Sequence, residues 1–98
     1  MINIALFGLG RIGLMHGKNL MRNKDFNLKY VYDLNKVLTS KVSKILRSQP
    51  INNPSKAFKD KKLDAIFIAS STSTHIKLIL QATSYKNCLL YTSDAADE

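Results

Sequence analysis

The apolar and polar positions of this 98-residue chain fall into short blocks whose period changes along the sequence. Ile2, Ile4, Ala5, Leu6 and Phe7 form a nearly continuous apolar run, broken only by Asn3. Such a run suits a strand covered on both faces. From Arg11 to Arg22 the period lengthens. Gly13, Gly17, Leu20 and Met21 fall at i, i+4, i+7 and i+8 and predict one face of a helix. Asn23-Lys24-Asp25 reads as a turn, and Leu28 to Tyr32 as a second strand. Lys36 to Arg47 predicts a second helix, capped by Asn35, with Leu38, Val42, Ile45 and Leu46 turned inward. The pattern then weakens. A very short strand at Ile51 is expected, and Pro54-Ser55 opens a short helix through Lys61. Leu63 to Ala69 is apolar again, and a helix is expected from His75 to Ser84, with Ile76, Ile79, Leu80 and Thr83 on its inner face. Strands that alternate with helices, and are themselves apolar throughout, predict an α/β fold around a parallel sheet.

The turn after the first strand carries the chemistry. Gly8, Gly10 and Gly13 give the spacing G-x-G-x-x-G between a strand and a helix. In a dinucleotide-binding reading, Gly8 makes the tight turn and Gly10 lets backbone approach a pyrophosphate. Gly13 lets the helix lie close to the strand. The N–H groups at Arg11 and Ile12 then face the phosphates at the positive end of the helix. The same motif requires an acidic residue at the end of the second strand. Asp33 stands there, 20 positions after Gly13. It is placed to accept hydrogen bonds from both hydroxyls of an adenosine ribose. A 2′-phosphate would meet a like charge, which favours NAD over NADP, with Lys36 close enough to soften the preference. Otherwise the motif is a tight turn in an unrelated α/β domain and Asp33 a solvated strand end or helix cap. Ligands of open α/β sheets bind beyond the carboxyl ends of the strands. The hydroxyl-rich loop from Ser70 to His75 therefore lies on the same edge as the glycine turn, although helix capping accounts for at least one of its hydroxyls. His16, in the first helix, reads as a partly buried structural histidine rather than a catalytic one.

Composition narrows the function classes. The length allows one domain at most. No apolar run approaches the ~20 residues of a membrane span, and the start of the chain carries no cleavable signal pattern, which reads as cytoplasmic. A single cysteine, Cys88, excludes an internal disulfide. The formal charge of +8 raises nucleic-acid binding. The lysines are scattered, however, with only Lys59, Lys61 and Lys62 clustered around Asp60, and no basic stripe is interleaved with aromatics. The charge therefore does not imply nucleic acid.

The order strand, GLGRIG, His16, Asp33, DAIFIASSTSTH resembles the amino-terminal domain of the glucose–fructose oxidoreductase, inositol dehydrogenase and MocA (Gfo/Idh/MocA) family. The likeness covers residues 1 to about 87. The family loop often reads A-T-P-T-x-x-H, and here Ser71 stands where proline is usual. The strings S-S-T-x-T-H and G-L-G-R-I-G look most like the inositol 2-dehydrogenase branch. The resemblance implies a parallel-sheet Rossmann fold, incomplete here, and hydride transfer between NAD(P) and a secondary alcohol of a cyclitol or sugar. It implies a homo-oligomeric full-length protein and no nucleic-acid or membrane partner. It places Gly8, Gly10, Arg11, Ile12 and Gly13 on the pyrophosphate and Asp33 on the adenosine ribose. Ser70, Ser71, Thr72 and His75 are placed near the nicotinamide half. The family's proton-transfer lysine, in an E-K-P motif, belongs near Thr92-Ser93-Asp94, and Ser93 stands in its place. Its other catalytic groups come from a second domain.

The last stretch, CLLYTSDAADE from Cys88 to Glu98, resembles a translated transposon end used as a sequencing adaptor. The expected organisation is a partial dinucleotide-binding domain over residues 1–87 and a non-native tail over 88–98. Cys88 to Tyr91 is apolar enough to form a strand whatever its origin. Such a fragment is expected to be inactive alone, lacking a general base near a substrate carbon. The rival expectation is a stand-alone, non-enzymatic nucleotide-binding or redox-sensing module.

Overall fold

The computed structural model describes residues 1–69, 77–78 and, through backbone pairing, 89–92. Its elements run β1 (Ile2–Phe7), α1 (Arg11–Arg22), β2 (Phe26–Tyr32), α2 (Lys36–Leu46), β3 (Gln49–Pro50), α3 (Ser55–Phe58), β4 (Ala65–Ile68) and β5 (Leu89–Thr92). All strand pairs are parallel, in the order β3-β2-β1-β4-β5. The chain thus builds outward from β1 in both directions, and the strand order reverses beside it. This is the Rossmann arrangement, whose ligand crevice opens at the reversal, beyond the carboxyl ends of the strands.

Each face of the sheet has its own core. Ile4 and Leu6 of β1, Leu28 and Val31 of β2, and Ala65 of β4 pack with Val42 and Leu46 of α2. Ala5, Phe7, Ile66 and Ile68 point the other way, onto Ile51, Ala57, Phe58, Leu63 and Leu78. Phe7 is fully buried there, edge-on to Tyr32 at 5.8 Å and to Phe58 at 5.4 Å between ring centroids. Double-sided burial is why β1 and β4 read as continuous apolar runs. Asn3, the one interruption, donates its side-chain amide to the Lys62 carbonyl at 2.9 Å.

Several boundaries differ from the expected ones. β2 starts two residues early, at Phe26, which pairs with Ile2. α2 stops at Leu46 because Arg47 turns left-handed (φ 53°), and the Arg47 and Ser48 amides both return to the Ser43 carbonyl. This is the closed end of a Schellman motif. β3 is Gln49–Pro50, with the Ile51 amide donating to the Val31 carbonyl at 3.1 Å. Proline is tolerated there because the strand is at the sheet edge. α3 ends at Phe58, well before Lys61. Two inward assignments also move. Met21 is 38% and Ile45 46% exposed, and the buried stripe of α2 is Thr39, Val42, Ser43 and Leu46. That spacing of i, i+3, i+4 and i+7 admits two polar residues, which an apolar count passes over.

The register of β1 on β2 slips by one residue. Ile4 opposes Leu28 and Ala5 opposes Tyr30, so Lys29 has no opposite number. Lys29 is a bulge residue, and its side chain and that of Tyr30 both reach the same oxygen of Asp60, at 2.5 and 2.6 Å. The other Asp60 oxygen accepts from the Lys62 amide at 2.9 Å, turning the chain after α3. The Lys29 ammonium, then the Tyr30 hydroxyl, lower the Asp60 carboxyl from its ordinary 3.8 to about 2. A carboxylate whose folded pKa is depressed adds stability that is complete above its unfolded pKa and lost as pH falls through the folded one. The expected result is a loss of urea stability between about pH 4 and pH 2 that is steeper in the parent than in Asp60→Asn. Parallel slopes would remove this role.

No helix among the described residues is long and apolar enough to cross a membrane.

Candidate functional site

The carboxyl ends of β1, β2 and β4 are laced together. The Gly8 amide donates to the Tyr32 carbonyl at 2.8 Å and the Ala69 amide to the Phe7 carbonyl at 2.7 Å. This brings the glycine turn, Asp33 and the start of the loop after β4 to one edge. Gly8 has φ 98°, a conformation that side chains with a Cβ rarely adopt. Leu9 is 1% exposed and anchors the turn in the core. Gly10 caps α1, its carbonyl accepting from the Leu14 amide at 2.8 Å. At Gly13 an added Cβ would lie 1.9 Å from the Gly8 carbonyl oxygen. The turn and the helix start thus touch backbone to backbone, as the role read for Gly13 requires. The first turn of α1 contains no acidic residue. The positive end of the α1 dipole lies at this turn, so the end of α1 favours an anion.

Asp33 is half-buried and fixed at both carboxylate oxygens. Oδ2 accepts from the Leu9 amide at 2.8 Å and Oδ1 from the Asn35 amide at 2.9 Å. A carboxylate has about four lone-pair positions, so each oxygen keeps capacity for a further donor. The Asp33 main chain is held as well. Its amide donates to Thr39 Oγ1 at 3.0 Å. The Thr39 hydroxyl lies 3.1 Å from the Asp33 carbonyl and 3.0 Å from the Asn35 carbonyl, sharing its one proton between them. Asn35 caps α2 as expected, its side chain accepting from the Leu38 amide at 3.1 Å. Beside Asp33 a cleft of about 440 Å³ opens between the ends of β2 and β3, lined among others by Leu34, Lys36, Thr39, Ile51, Asn52 and Lys56.

Sequence reasoning placed Gly8, Gly10, Arg11, Ile12, Gly13 and Asp33 at one edge, and the structure brings them together there. It passed over Thr39, whose position on the buried stripe of α2 was the available signal. Ser70, Ser71, Thr72 and His75 lie outside the described residues, as does Ser93. Lys77 and Leu78, within the helix expected after His75, are helical. His16 is partly buried, its ring 4.6 Å from that of Phe67. Among the described residues no group of three or more His, Cys, Asp or Glu is arranged to hold a metal ion.

Comparisons with known proteins agree with this geometry. The chain is 30% identical over 86 residues to a myo-inositol 2-dehydrogenase of Thermotoga maritima, covering 87% of this chain and 26% of that protein. A myo-inositol dehydrogenase of Corynebacterium glutamicum superposes with a TM-score of 0.80 at 32% identity, over 92% of this chain and 27% of the other. A myo-inositol dehydrogenase of Lactobacillus casei, solved with NAD(H) and myo-inositol, superposes with a TM-score of 0.88. At 16% identity, over 98% of this chain and 29% of the other, that likeness speaks to the fold alone. The chain spans about a quarter of the length of these relatives. The sequence model of the family described as an oxidoreductase family with an NAD-binding Rossmann fold matches residues 2–90, and the chain belongs to that Gfo/Idh/MocA family.

Proposed function

We propose that this chain is the dinucleotide-binding part of an NAD-dependent dehydrogenase acting on a secondary alcohol of a cyclitol or sugar, similar to inositol 2-dehydrogenase. The observation that carries the reading is the Asp33 carboxylate, tied to the glycine turn through the Leu9 amide and bordering the cleft. In this role Asp33 accepts from the adenosine ribose hydroxyls. Gly8, Gly10 and Gly13, with the Arg11 and Ile12 amides, hold the pyrophosphate. Ser70, Ser71, Thr72 and His75 are assigned to the nicotinamide half. When bound, NAD supplies the hydride acceptor. The part played by these residues is to bind and orient it, and proton transfer is left to groups of a substrate domain. Residues 1–87 form the binding domain in this reading and residues 88–98 a non-native tail. The substrate class rests on the inositol dehydrogenase relatives.

Calorimetric titration of the chain with NAD and NADP tests the reading. NAD is expected to bind and NADP to bind more weakly, with no NADH formed when myo-inositol is added. A chain that binds neither dinucleotide is not a dinucleotide-binding domain.

A further inference from the structure

The geometry points to Thr39 as a positioning residue for the ribose-binding carboxylate, a role that rests on the function proposed above. Thr39 is 5% exposed, a polar residue on the buried stripe of α2 among Val42, Ser43 and Leu46. A helical threonine often returns its hydroxyl to the carbonyl four residues back, and Thr39 does so with Asn35. That bond alone would be local. The added feature is the bond in the other direction. Oγ1 accepts the Asp33 amide, the first main-chain donor beyond the end of β2, at 3.0 Å. The same hydroxyl lies 3.1 Å from the Asp33 carbonyl, so one side-chain oxygen meets both polar groups of the Asp33 main chain.

The consequence concerns orientation. The Asp33 side chain is held from outside by the Leu9 and Asn35 amides. Those contacts fix where its oxygens are only if the Asp33 main chain is itself fixed. Thr39 supplies that anchor from the rigid interior of α2. A carboxylate held at both ends presents its remaining lone pairs to the cleft in one direction and loses little freedom when a ribose arrives. Thr39 also lines the cleft, yet its hydroxyl is already engaged with Asp33 and Asn35. It therefore acts through Asp33 rather than on the ligand.

The test compares NAD with its analogue lacking the 2′-hydroxyl of the adenosine ribose, titrated against the chain and its variants. Thr39→Val keeps the shape and removes the hydroxyl. It is expected to weaken NAD about fivefold, the size of one lost hydrogen bond, while leaving the affinity for the deoxy analogue nearly unchanged. The preference for NAD narrows accordingly. Thr39→Ser is expected to restore it. In an Asp33→Ala background Thr39→Val is expected to add nothing further. Thr39→Ala, which adds no bulk, gives the same readout where the valine variant does not fold. A purely structural role would lower the melting temperature and weaken both ligands equally, and that result overturns the inference while leaving the proposed function standing. A parent chain that binds NAD and the deoxy analogue equally overturns the ribose assignment itself, and this inference with it.

Discussion

Gly13→Ala is expected to abolish NAD binding and to remove much of the folding stability of the chain. The added Cβ would sit 1.9 Å from the Gly8 carbonyl oxygen and 2.8 Å from its carbon, both main-chain atoms. Gly8 cannot retreat freely. Its φ of 98° is set by the turn, and its amide is bonded to Tyr32. Relief therefore means moving α1 off the sheet or breaking the link between β1 and β2. Overpacking of a well-filled interior costs about 1–3 kcal/mol, and a contact against main chain belongs at the upper end. For a chain of this size, total stability is on the order of 5–15 kcal/mol, so the loss shows directly in a urea midpoint. Gly17→Ala is the control. Its Cβ would meet Leu46 Cδ1 at 2.5 Å and Leu6 Cδ2 at 3.0 Å, which are side-chain ends able to rotate. A gain of about 1 kcal/mol in helix propensity offsets part of that clash. Gly17→Ala should remain folded and bind NAD. Parent-like binding by Gly13→Ala would remove the close approach of helix and turn from the proposed site.

Asp33→Ala is expected to weaken NAD by more than about a hundredfold, because hydrogen bonds to a charged acceptor contribute about 1.5–3 kcal/mol each and two ribose hydroxyls lose theirs. The same change removes the carboxylate that holds the Leu9 amide, so a weaker NAD complex alone would not separate ribose recognition from a disturbed turn. NADP separates them. A damaged turn weakens both dinucleotides, since both carry the pyrophosphate. Loss of a ribose-reading carboxylate weakens NAD and relieves NADP of a like charge, with Lys36 at the cleft ready to meet the 2′-phosphate. The expected result is a preference that collapses or reverses. If the variant binds NAD as tightly as the parent, Asp33 does not read the ribose.

The sequence was legible where one signal dominated. β1 and α1 lie where the apolar run and the glycine spacing put them, because double-sided burial and a backbone-to-backbone contact leave few alternatives. Asp33 was legible for the same reason, a fixed distance from the turn. What escaped was set by contacts distant in sequence. The ends of α2 and α3 depend on Arg47 turning left-handed and on Asp60 being drawn toward Lys29 and Tyr30. Among Lys59, Lys61 and Lys62, Asp60 looked like an interruption of a charge run, and its partners lie about thirty positions away, at |i−j| of 31 and 30. Thr39 was invisible to a search for apolar periodicity because its burial is compensated by hydrogen bonds rather than by an apolar side chain. The loop from Ser70 to His75 lies outside the described residues, and its assignment rests on the resemblance.

The place of Lys29, opposite no residue of β1, has a consequence for how β2 can vary among related chains. With Lys29 set aside, the strand alternates without fault. Phe26, Leu28 and Val31 take one face, and Tyr30 and Tyr32 the other. The bulge absorbs one surplus residue and hands the chain on in the same phase. A relative that lacks this residue keeps every neighbour on its present side and still delivers the acidic residue to the same edge. A residue lost between the bulge and Asp33 would instead exchange the two sides for everything between the gap and the turn. An alignment gap inside a strand ordinarily signals error. At this one place in β2 it is a length change that keeps the phase of the strand, at the cost of the Lys29 contact to Asp60, and the distance from Gly13 to the acid becomes a spacing that tolerates one residue fewer.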